Sequence, residues 1–137
     1  MDIFSPGKTK AELREMPTLG LAYIGDGVFE LLARTYIVQG GAAKAAALHK
    51  KAVGLANAGA QAKAAKAILP LLDEEELSVF MRGRNAKPHS IPKHAKPEDY
   101  AAATGLEALF GWLYLADMKI RLAQLWEAVL IGIEETV

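Results

Sequence analysis

The chain has 137 residues, of which 52% are hydrophobic, with sixteen basic residues, sixteen acidic residues and no cysteine. This length and hydrophobic share predict one globular domain over residues 1–137 and leave no room for a second. The absence of cysteine excludes disulfides and thiolate chemistry, so any metal site must use oxygen or histidine ligands.

The charge is polarised although the formal net charge is zero. Residues 42–96 contain ten Lys or Arg against four Asp or Glu, an excess of six positive charges. Such asymmetry is modest support for a polyanionic partner. The N-terminal sequence MDIFSPGKTKAELREM lacks the order of a secretory signal, and no apolar stretch combines membrane length with freedom from charge. We therefore expect a cytoplasmic protein with no membrane partner.

Apolar residues recur at helical spacing along most of the chain, which predicts an all-α domain. A first helix is expected over about 18–38, with Thr18 as its N-cap and the pair Gly40 and Gly41 at its end. A second helical region should cover roughly 43–70. We expect a break in it near residues 54–59, because glycine costs about 1 kcal/mol relative to alanine inside a helix.

The spacing of Asp73 and Glu76 is that of a capping box and predicts a short helix running to about Gly83. The acidic run 73–76 is then better explained by the helix dipole than by a metal cluster. Residues 84–100 contain three prolines and no helical period, which indicates a surface loop. Pro97 suits the first helical position. A helix should follow over about 98–116. Another helix should begin after Asp117, as its cap, and run to about 135.

Two apolar stretches each contain one unexplained carboxylate. Asp26 lies between Gly25 and Gly27 in LAYIGDGVFELLAR, and Glu107 precedes Gly111 in TGLEALFGWLYLA. A buried carboxylate needs a partner, a cation or water, or else it stays protonated. If the glycines let the helices approach closely, a hard cation such as Mg²⁺ between the acids would activate a water toward a phosphodiester. Pairing with a basic residue or capping of a backbone remains the commoner alternative.

Three blocks in order, LAYIGDGVFEL, RGRNAK at 82–87 and LEALFGWLYL at 106–115, resemble the ribonuclease III family. The resemblance is specifically to its small bacterial and plastid branch, Mini-ribonuclease III, and extends over roughly 18–135. It implies the ribonuclease III endonuclease-domain fold, a helical homodimer without an appended double-stranded-RNA-binding domain, and Mg²⁺-dependent cleavage of double-stranded RNA. It places Asp26 on the metal ligand of the signature helix and Glu107 on the second catalytic carboxylate.

The chain departs from the full-length ribonuclease III pattern at two acidic positions. Ala22 stands where that pattern has glutamate, and Thr104 replaces the first member of the later acidic pair. The thinner acidic set favours one firmly held Mg²⁺ per subunit. Thr104 either binds a metal-bound water or, as we expect, packs or caps a helix. Glu30 is either an outer-shell ligand or, as we expect, an exposed or salt-bridged glutamate.

An RNA duplex is bound mainly through its phosphates, because the narrow major groove of A-form RNA hides the base edges. Arginine and asparagine donors suit phosphate and 2′-hydroxyl oxygens. The alternative is an ordinary solvated basic face. The predicted RNA-binding residues are Lys50, Lys51, Arg82, Arg84, Asn85, Lys87, Lys93 and Lys96.

Other conspicuous side chains receive structural interpretations. His89 and His94 lie in the predicted loop, where general acid catalysis is not expected. Aromatic residues at helical spacing most often pack in a core or a dimer interface. This interpretation covers Tyr23, Phe29, Phe110, Trp112 and Tyr114.

The expected function is a homodimeric, Mg²⁺-dependent endoribonuclease for double-stranded RNA, with two sites addressing opposite strands. The resemblance further implies 5′-phosphate and 3′-hydroxyl ends, a large-subunit (23S) ribosomal RNA precursor as substrate, and a possible ribosomal-protein helper. One alternative is a catalytically silent double-stranded-RNA-binding or ribosome-assembly factor. Another is a helical protein-interaction domain that binds no RNA.

Overall fold

The helical periodicity is realised as seven α-helices within the residues described by a computed structural model. It describes residues 2–41, 45–86 and 93–134, except for the side chains of residues 45–49, 53 and 134. No strand occurs in these ranges, so the predicted all-α class is confirmed. The helices are α1 Lys10–Glu15, α2 Thr18–Gln39, α3 Ala45–Ala56, α4 Ala58–Ile68, α5 Glu74–Arg84, α6 Pro97–Leu115 and α7 Lys119–Glu134. A 3-10 turn, Leu69–Leu71, joins α4 to α5.

Local capping explains where several helices begin. The Asp73 carboxylate accepts from the Glu76 backbone N–H at 2.8 Å, which confirms the predicted capping box of α5. Asn57 caps α4 by accepting from the Ala60 N–H at 2.9 Å, so the predicted break falls at this residue. Thr9 and Glu12 form a second capping box before α1, a helix that the sequence analysis did not anticipate.

Two predicted caps are wrong. Thr18 is already the first residue of α2, whose N-cap is Pro17 without a side-chain cap. Asp117 belongs to the end of α6, where it follows the C-cap Ala116, and is not the cap of α7. It has a φ of 62°, and the next residue, Met118, donates its N–H to the Leu113 carbonyl at 2.9 Å. This left-handed residue with a hydrogen bond back across the helix end is the Schellman arrangement, in which aspartate is tolerated because its short side chain strains the backbone little.

Helix α6 lies at the centre of the fold and packs against α2, α4 and α5. It is apolar nearly all round, as is typical of a helix buried on most sides. The Phe29 ring of α2 lies 5.8 Å from the Phe110 ring of α6 and 5.3 Å from the Trp126 ring of α7. These contacts join three helices in one aromatic cluster. None of the described helices is long and apolar enough to cross a membrane.

A partly buried ion pair joins α5 to α7. The Arg121 guanidinium donates to both oxygens of Glu76, each at 2.8 Å, and also to the Leu71 carbonyl at 2.6 Å. Glu76 is only 1% exposed. The hydrogen bond from Arg121 holds the pKa of Glu76 below its ordinary value, against the opposing effect of burial. The last acid of the run 73–76 therefore has a structural role, as the capping interpretation predicts.

Candidate active site

Helices α2 and α6 meet backbone to backbone at two glycines. A Cβ atom on Gly25 would collide with the carbonyl oxygen of Glu107, and a Cβ atom on Gly111 would collide with the carbonyl oxygen of Leu21. The predicted close approach through these two glycines is therefore present. The expectation is wrong for Gly27, because nothing lies within 4 Å of a Cβ built there.

This close approach brings Asp26 and Glu107 together. The side chain of Glu107 is half-buried and lies beside that of Asp26. Burial is the largest cause that raises the pKa of Glu107, and together with the hydrogen bond and negative charge of Asp26 it brings this pKa to about 8. Asp26 itself is exposed in the single chain, so the expectation of two buried acids is wrong for this residue. Its helix is held in the core at Gly25, while its carboxylate faces outward.

The two carboxylates line a cavity of about 420 Å³. Helix α2 contributes Asp26 and Tyr23, α6 contributes Glu107 and Thr104, and α4 contributes Gln61. In the described part of the chain, no Lys, Arg or His forms an ion pair with either carboxylate. A cationic ligand that favours the ionised form of both carboxylates therefore has no competitor among these side chains.

A divalent cation fits this donor set. Mg²⁺ is commonly bound through one or two carboxylates and completes its shell with water and substrate phosphates. No group of three or more His, Cys, Asp or Glu side chains among the residues described here is placed to hold a metal. The site therefore suits an open cation position and not a closed protein cage.

Comparison with known proteins identifies the family. A family model described as the ribonuclease III domain matches residues 19–118, well over half of the chain. The chain belongs to the ribonuclease III family. It is accordingly an endoribonuclease, and enzymes of this family act on double-stranded RNA and generally depend on a divalent metal.

Several relatives within the ribonuclease III family align with this chain over most of their own length. A Mini-ribonuclease 3 from Symbiobacterium thermophilum is 43% identical over 119 residues, which is 87% of this chain and 92% of the relative. A Mini-ribonuclease 3 from Clostridium tetani is 41% identical over 129 residues, covering 93% and 85%. A crystal structure of a Fusobacterium nucleatum protein superposes with a TM-score of 0.78 at 30% identity, covering 91% of this chain and 98% of that chain.

Both departures from the ribonuclease III pattern lie on the wall of the cavity. Ala22 presents a methyl group there, and Thr104 presents a hydroxyl. The Thr104 hydroxyl donates to the Tyr100 carbonyl at 2.9 Å, as expected for a side chain that packs against its own helix. The carboxylate of Glu30 lies 2.6 Å from the Arg34 guanidinium and is half exposed, as the salt-bridge interpretation predicts. The cavity thus has two acids instead of four.

The predicted RNA-binding residues of this ribonuclease III chain are exposed where they are described. This holds for Lys50, Lys51, Arg82, Arg84, Asn85, Lys93 and Lys96. Lys87 and His89 lie outside the described residues, and His94 is exposed.

The arginines of RGRNAK face different parts of the surface. Arg82 donates to the Thr18 hydroxyl at 3.1 Å and lines a depression beside Trp112. Arg84 lines another depression, of about 480 Å³, together with Lys63 and Lys66 of α4. The sequence analysis did not single out these two lysines, although their spacing of three residues in an alanine-rich helix indicates a shared face. Two acids, Glu98 and Asp99, line the same depression, so its charge is mixed.

The aromatic residues divide into two groups. Phe29, Phe110 and Trp112 are buried as predicted. Tyr114 is partly buried, and its hydroxyl donates to the Ile3 carbonyl. Tyr23 is 81% exposed, so the core interpretation is wrong for it. Tyr23 borders the cavity that Asp26 and Glu107 line.

Proposed function

We propose that this chain is a Mg²⁺-dependent endoribonuclease that hydrolyses phosphodiesters of double-stranded RNA and leaves 5′-phosphate and 3′-hydroxyl ends. The observation that carries the proposal is the meeting of Asp26 and Glu107 across the α2–α6 contact, at a cavity and without a cationic partner among the described side chains. Two adjacent carboxylates, one of them half-buried, lower the stability of the folded chain, and a bound divalent cation would offset this loss.

Asp26 and Glu107 would hold the Mg²⁺. When bound, the ion supplies a water nucleophile at neutral pH and offsets the negative charge that develops at phosphorus. The glycine contact makes this site rigid, because Gly25 and Gly111 allow the two backbones to touch. A carboxylate held by a backbone contact is preorganised, so little motion is needed when substrate arrives.

The exposed basic residues would bind the RNA backbone. Lys50 and Lys51 on α3, with Lys93 and Lys96 before α6, carry positive charge without a described ion pair. Each phosphate contact of this kind should make binding salt-dependent, because it releases condensed counterions. Asn85, at the C-cap of α5, adds a neutral donor to this set.

A homodimer is supported by an apolar stripe on α2. Its members Leu19, Tyr23, Leu31 and Val38 are 43%, 81%, 67% and 60% exposed. Their spacing places them on one side of the helix, with the Glu30–Arg34 ion pair between Tyr23 and Val38, and exposed apolar residues that share a side mark an interaction surface. Leu19 and Tyr23 also border the cavity. A partner chain on this stripe would lie beside the site, and a two-fold axis would present a second site to the opposite strand.

The proposed substrate is the precursor of large-subunit (23S) ribosomal RNA in the cytoplasm, with a ribosomal protein as a possible helper. Support for this assignment comes from the three sequence blocks that resemble Mini-ribonuclease III and from relatives carrying that name. The cavity chemistry itself requires only a phosphodiester.

Cleavage assays on purified variants test the proposed function. Wild type, Asp26→Asn and Glu107→Gln are incubated with an end-labelled RNA duplex, with and without Mg²⁺, and the products are sized on a gel. Glu30→Gln is the matched control, because Glu30 lies one turn from Asp26 on α2 but is paired with Arg34. We expect metal-dependent cutting by wild type and the control, and a loss on the order of 1,000-fold or more in the two site variants.

The rival function is a catalytically silent RNA-binding or assembly factor, which Ala22 and Thr104 on the cavity wall favour. Wild type that binds the duplex and a structured ribosomal precursor without cutting either would support that rival. Weak binding of RNA that does not change with salt would instead support a protein-interaction domain.

A further inference from the structure

Helix α4 carries a buried polar side chain that its own helix does not explain. Its buried face consists of Gln61, Ala64, Ala65 and Ile68, at spacings of three, one and three residues. Gln61 is 4% exposed and is the polar member of this otherwise apolar face. Among the described residues, its Nε2 atom is a buried side-chain donor without a hydrogen-bond partner. Such groups are rare in folded proteins because burial removes them from water.

Gln61 lines the same cavity as Asp26 and Glu107. Its side-chain amide therefore borders the space that a ligand would occupy, and the buried Nε2 atom could reach an acceptor oxygen there by rotation of the side chain. The cavity already holds two carboxylates that suit a cation, and the phosphoryl oxygens of RNA are the acceptors that accompany such a cation. Asp26 and Glu107 supply no donor when ionised. The Gln61 amide on α4 would add a hydrogen-bond donor for a phosphodiester oxygen to the two carboxylates that suit the cation.

The neutrality of the amide has a physical consequence. A lysine at this position would pair with Asp26 or Glu107 and compete with the cation for them. An amide N–H can contact a phosphoryl oxygen while leaving the charge of both carboxylates intact. Glutamine is therefore the type of donor that this cavity tolerates beside a divalent cation.

We infer that Gln61 is a substrate-binding residue whose side-chain amide donates a hydrogen bond to a phosphoryl oxygen of the RNA in the Asp26–Glu107 cavity. The inference rests on the proposed function and assigns a role to a third helix of the site. It also explains why α4 keeps a polar side chain on its buried face. The contact forms only with substrate, so the free chain has an unpaired donor.

Two substitutions and a matched control separate this role from a structural one. Gln61→Met keeps the approximate size of the side chain and removes its donor, while Gln61→Glu replaces the donor with an acceptor. Gln39→Met is the control, because Gln39 is exposed at the end of α2 and does not line the cavity. The measurements are kcat and KM on an RNA duplex, the Mg²⁺ concentration for half-maximal rate, and the melting temperature.

For Gln61→Met we expect kcat/KM to fall roughly 10- to 100-fold, as for a lost hydrogen bond to a charged group. The melting temperature should stay at or above that of wild type, because an unpaired buried donor has been removed. The half-maximal Mg²⁺ concentration should not change. Gln61→Glu should lose at least as much activity, because its carboxylate repels phosphate. Tighter Mg²⁺ binding with retained cleavage in Gln61→Glu would overturn the inference, since it would make this side chain a metal ligand.

Three further outcomes would also overturn the inference. They are wild-type kcat/KM in Gln61→Met, loss of activity only in proportion to a lower melting temperature, and an equal loss in Gln39→Met. Wild type that never cuts the duplex would overturn the proposed function together with the inference. Cleavage by wild type with unchanged kcat/KM in Gln61→Met would overturn the inference alone, so the two failures are distinguishable. If Gln61→Met does not fold, the side-chain amide resonance of Gln61 is followed by NMR in Glu107→Gln during duplex titration. A shift supports the contact, and an unmoved resonance contradicts it.

Discussion

Two carboxylates of this fold, Glu76 at the α5–α7 junction and Glu107 at the α2–α6 junction, receive opposite treatment. Glu76 is 1% exposed and meets the Arg121 guanidinium through two hydrogen bonds of 2.8 Å, which lower its pKa. Glu107 meets another acid, Asp26, and burial raises its pKa to about 8. Glu76, which joins two helices, has a cationic partner in the fold. Glu107 has none among the described side chains, so a cationic ligand can bind it.

The largest expected effect on stability comes from breaking the neutralised pair. Arg121→Met leaves the buried Glu76 without its cation, and removal of one partner of a buried pair costs about 3–5 kcal/mol; because Arg121 is 27% exposed, the lower end, about 3 kcal/mol, applies here. We expect the free energy of unfolding, measured by urea denaturation at neutral pH, to fall by this amount. A loss as small as that of an exposed ion pair would contradict the structural role of Glu76.

The unneutralised pair should behave in the opposite way. Glu107→Gln removes a carboxyl group that the metal-free fold keeps protonated at neutral pH, and holding this proton above the ordinary pKa of 4.5 costs about 1.4 kcal/mol for each pH unit. Allowing for solvent at the cavity, we expect this variant to gain on the order of 1–3 kcal/mol in the presence of a chelator. The same variant should be inactive on RNA. A variant less stable than wild type would show that Glu107 has a structural partner.

The pH dependence of stability has a defined sign for each acid. Glu107 has a folded pKa above its ordinary value of 4.5, so the stability it contributes is full below about pH 4.5 and is lost as the pH rises through about 8. The difference in melting temperature between Glu107→Gln and metal-free wild type should widen over this range and then level off. A difference that does not change with pH would contradict the raised pKa.

Glu76 changes stability at the acid end. Its folded pKa lies below the ordinary value of 4.5, so its contribution is present above about pH 4.5 and is lost as the pH falls through the folded pKa. Glu107→Gln should retain this acid-side loss, because it leaves the Glu76–Arg121 pair in place. Melting curves of the variant at decreasing pH measure it, and a flat acid limb in the variant would contradict the assignment.

The smallest effect is expected at a third acid that is exposed. Glu30 forms an i,i+4 pair with Arg34 on the surface of α2, and such pairs contribute about 0.3–0.5 kcal/mol. Glu30→Gln should therefore change the free energy of unfolding by no more than about 0.5 kcal/mol and leave cleavage unchanged. A loss of cleavage in this variant would instead support an outer-shell role for Glu30 at the metal.

Local signals were enough to predict much of the fold. Three helix boundaries depend on contacts within one helical turn. They are the Asp73–Glu76 capping box of α5, the start of α4 at the N-cap Asn57 and the end of α2 at Gly40. Asp117 was misassigned because its left-handed conformation depends on hydrogen bonds across the end of α6. A single turn of sequence does not distinguish a residue that ends one helix from a residue that begins the next.

The candidate site was predictable only in part, because its members come from distant parts of the chain. The resemblance identified Asp26 and Glu107, and Gly25 and Gly111 indicated their approach. Gln61 was missed, although a glutamine on an alanine-rich apolar face was a usable signal. The Glu76–Arg121 pairing spans 45 residues and depends on tertiary packing, so no local pattern predicts it.

Melting temperature as a function of Mg²⁺ concentration tests the central claim most directly, namely that the Asp26–Glu107 pair is left unneutralised in order to bind a divalent cation. A ligand that binds only the folded state stabilises it by mass action. At neutral pH we predict that millimolar Mg²⁺ raises the melting temperature of wild type and of Glu30→Gln but not of Asp26→Asn or Glu107→Gln. An equal rise in all four proteins, or no rise in wild type, would contradict the account.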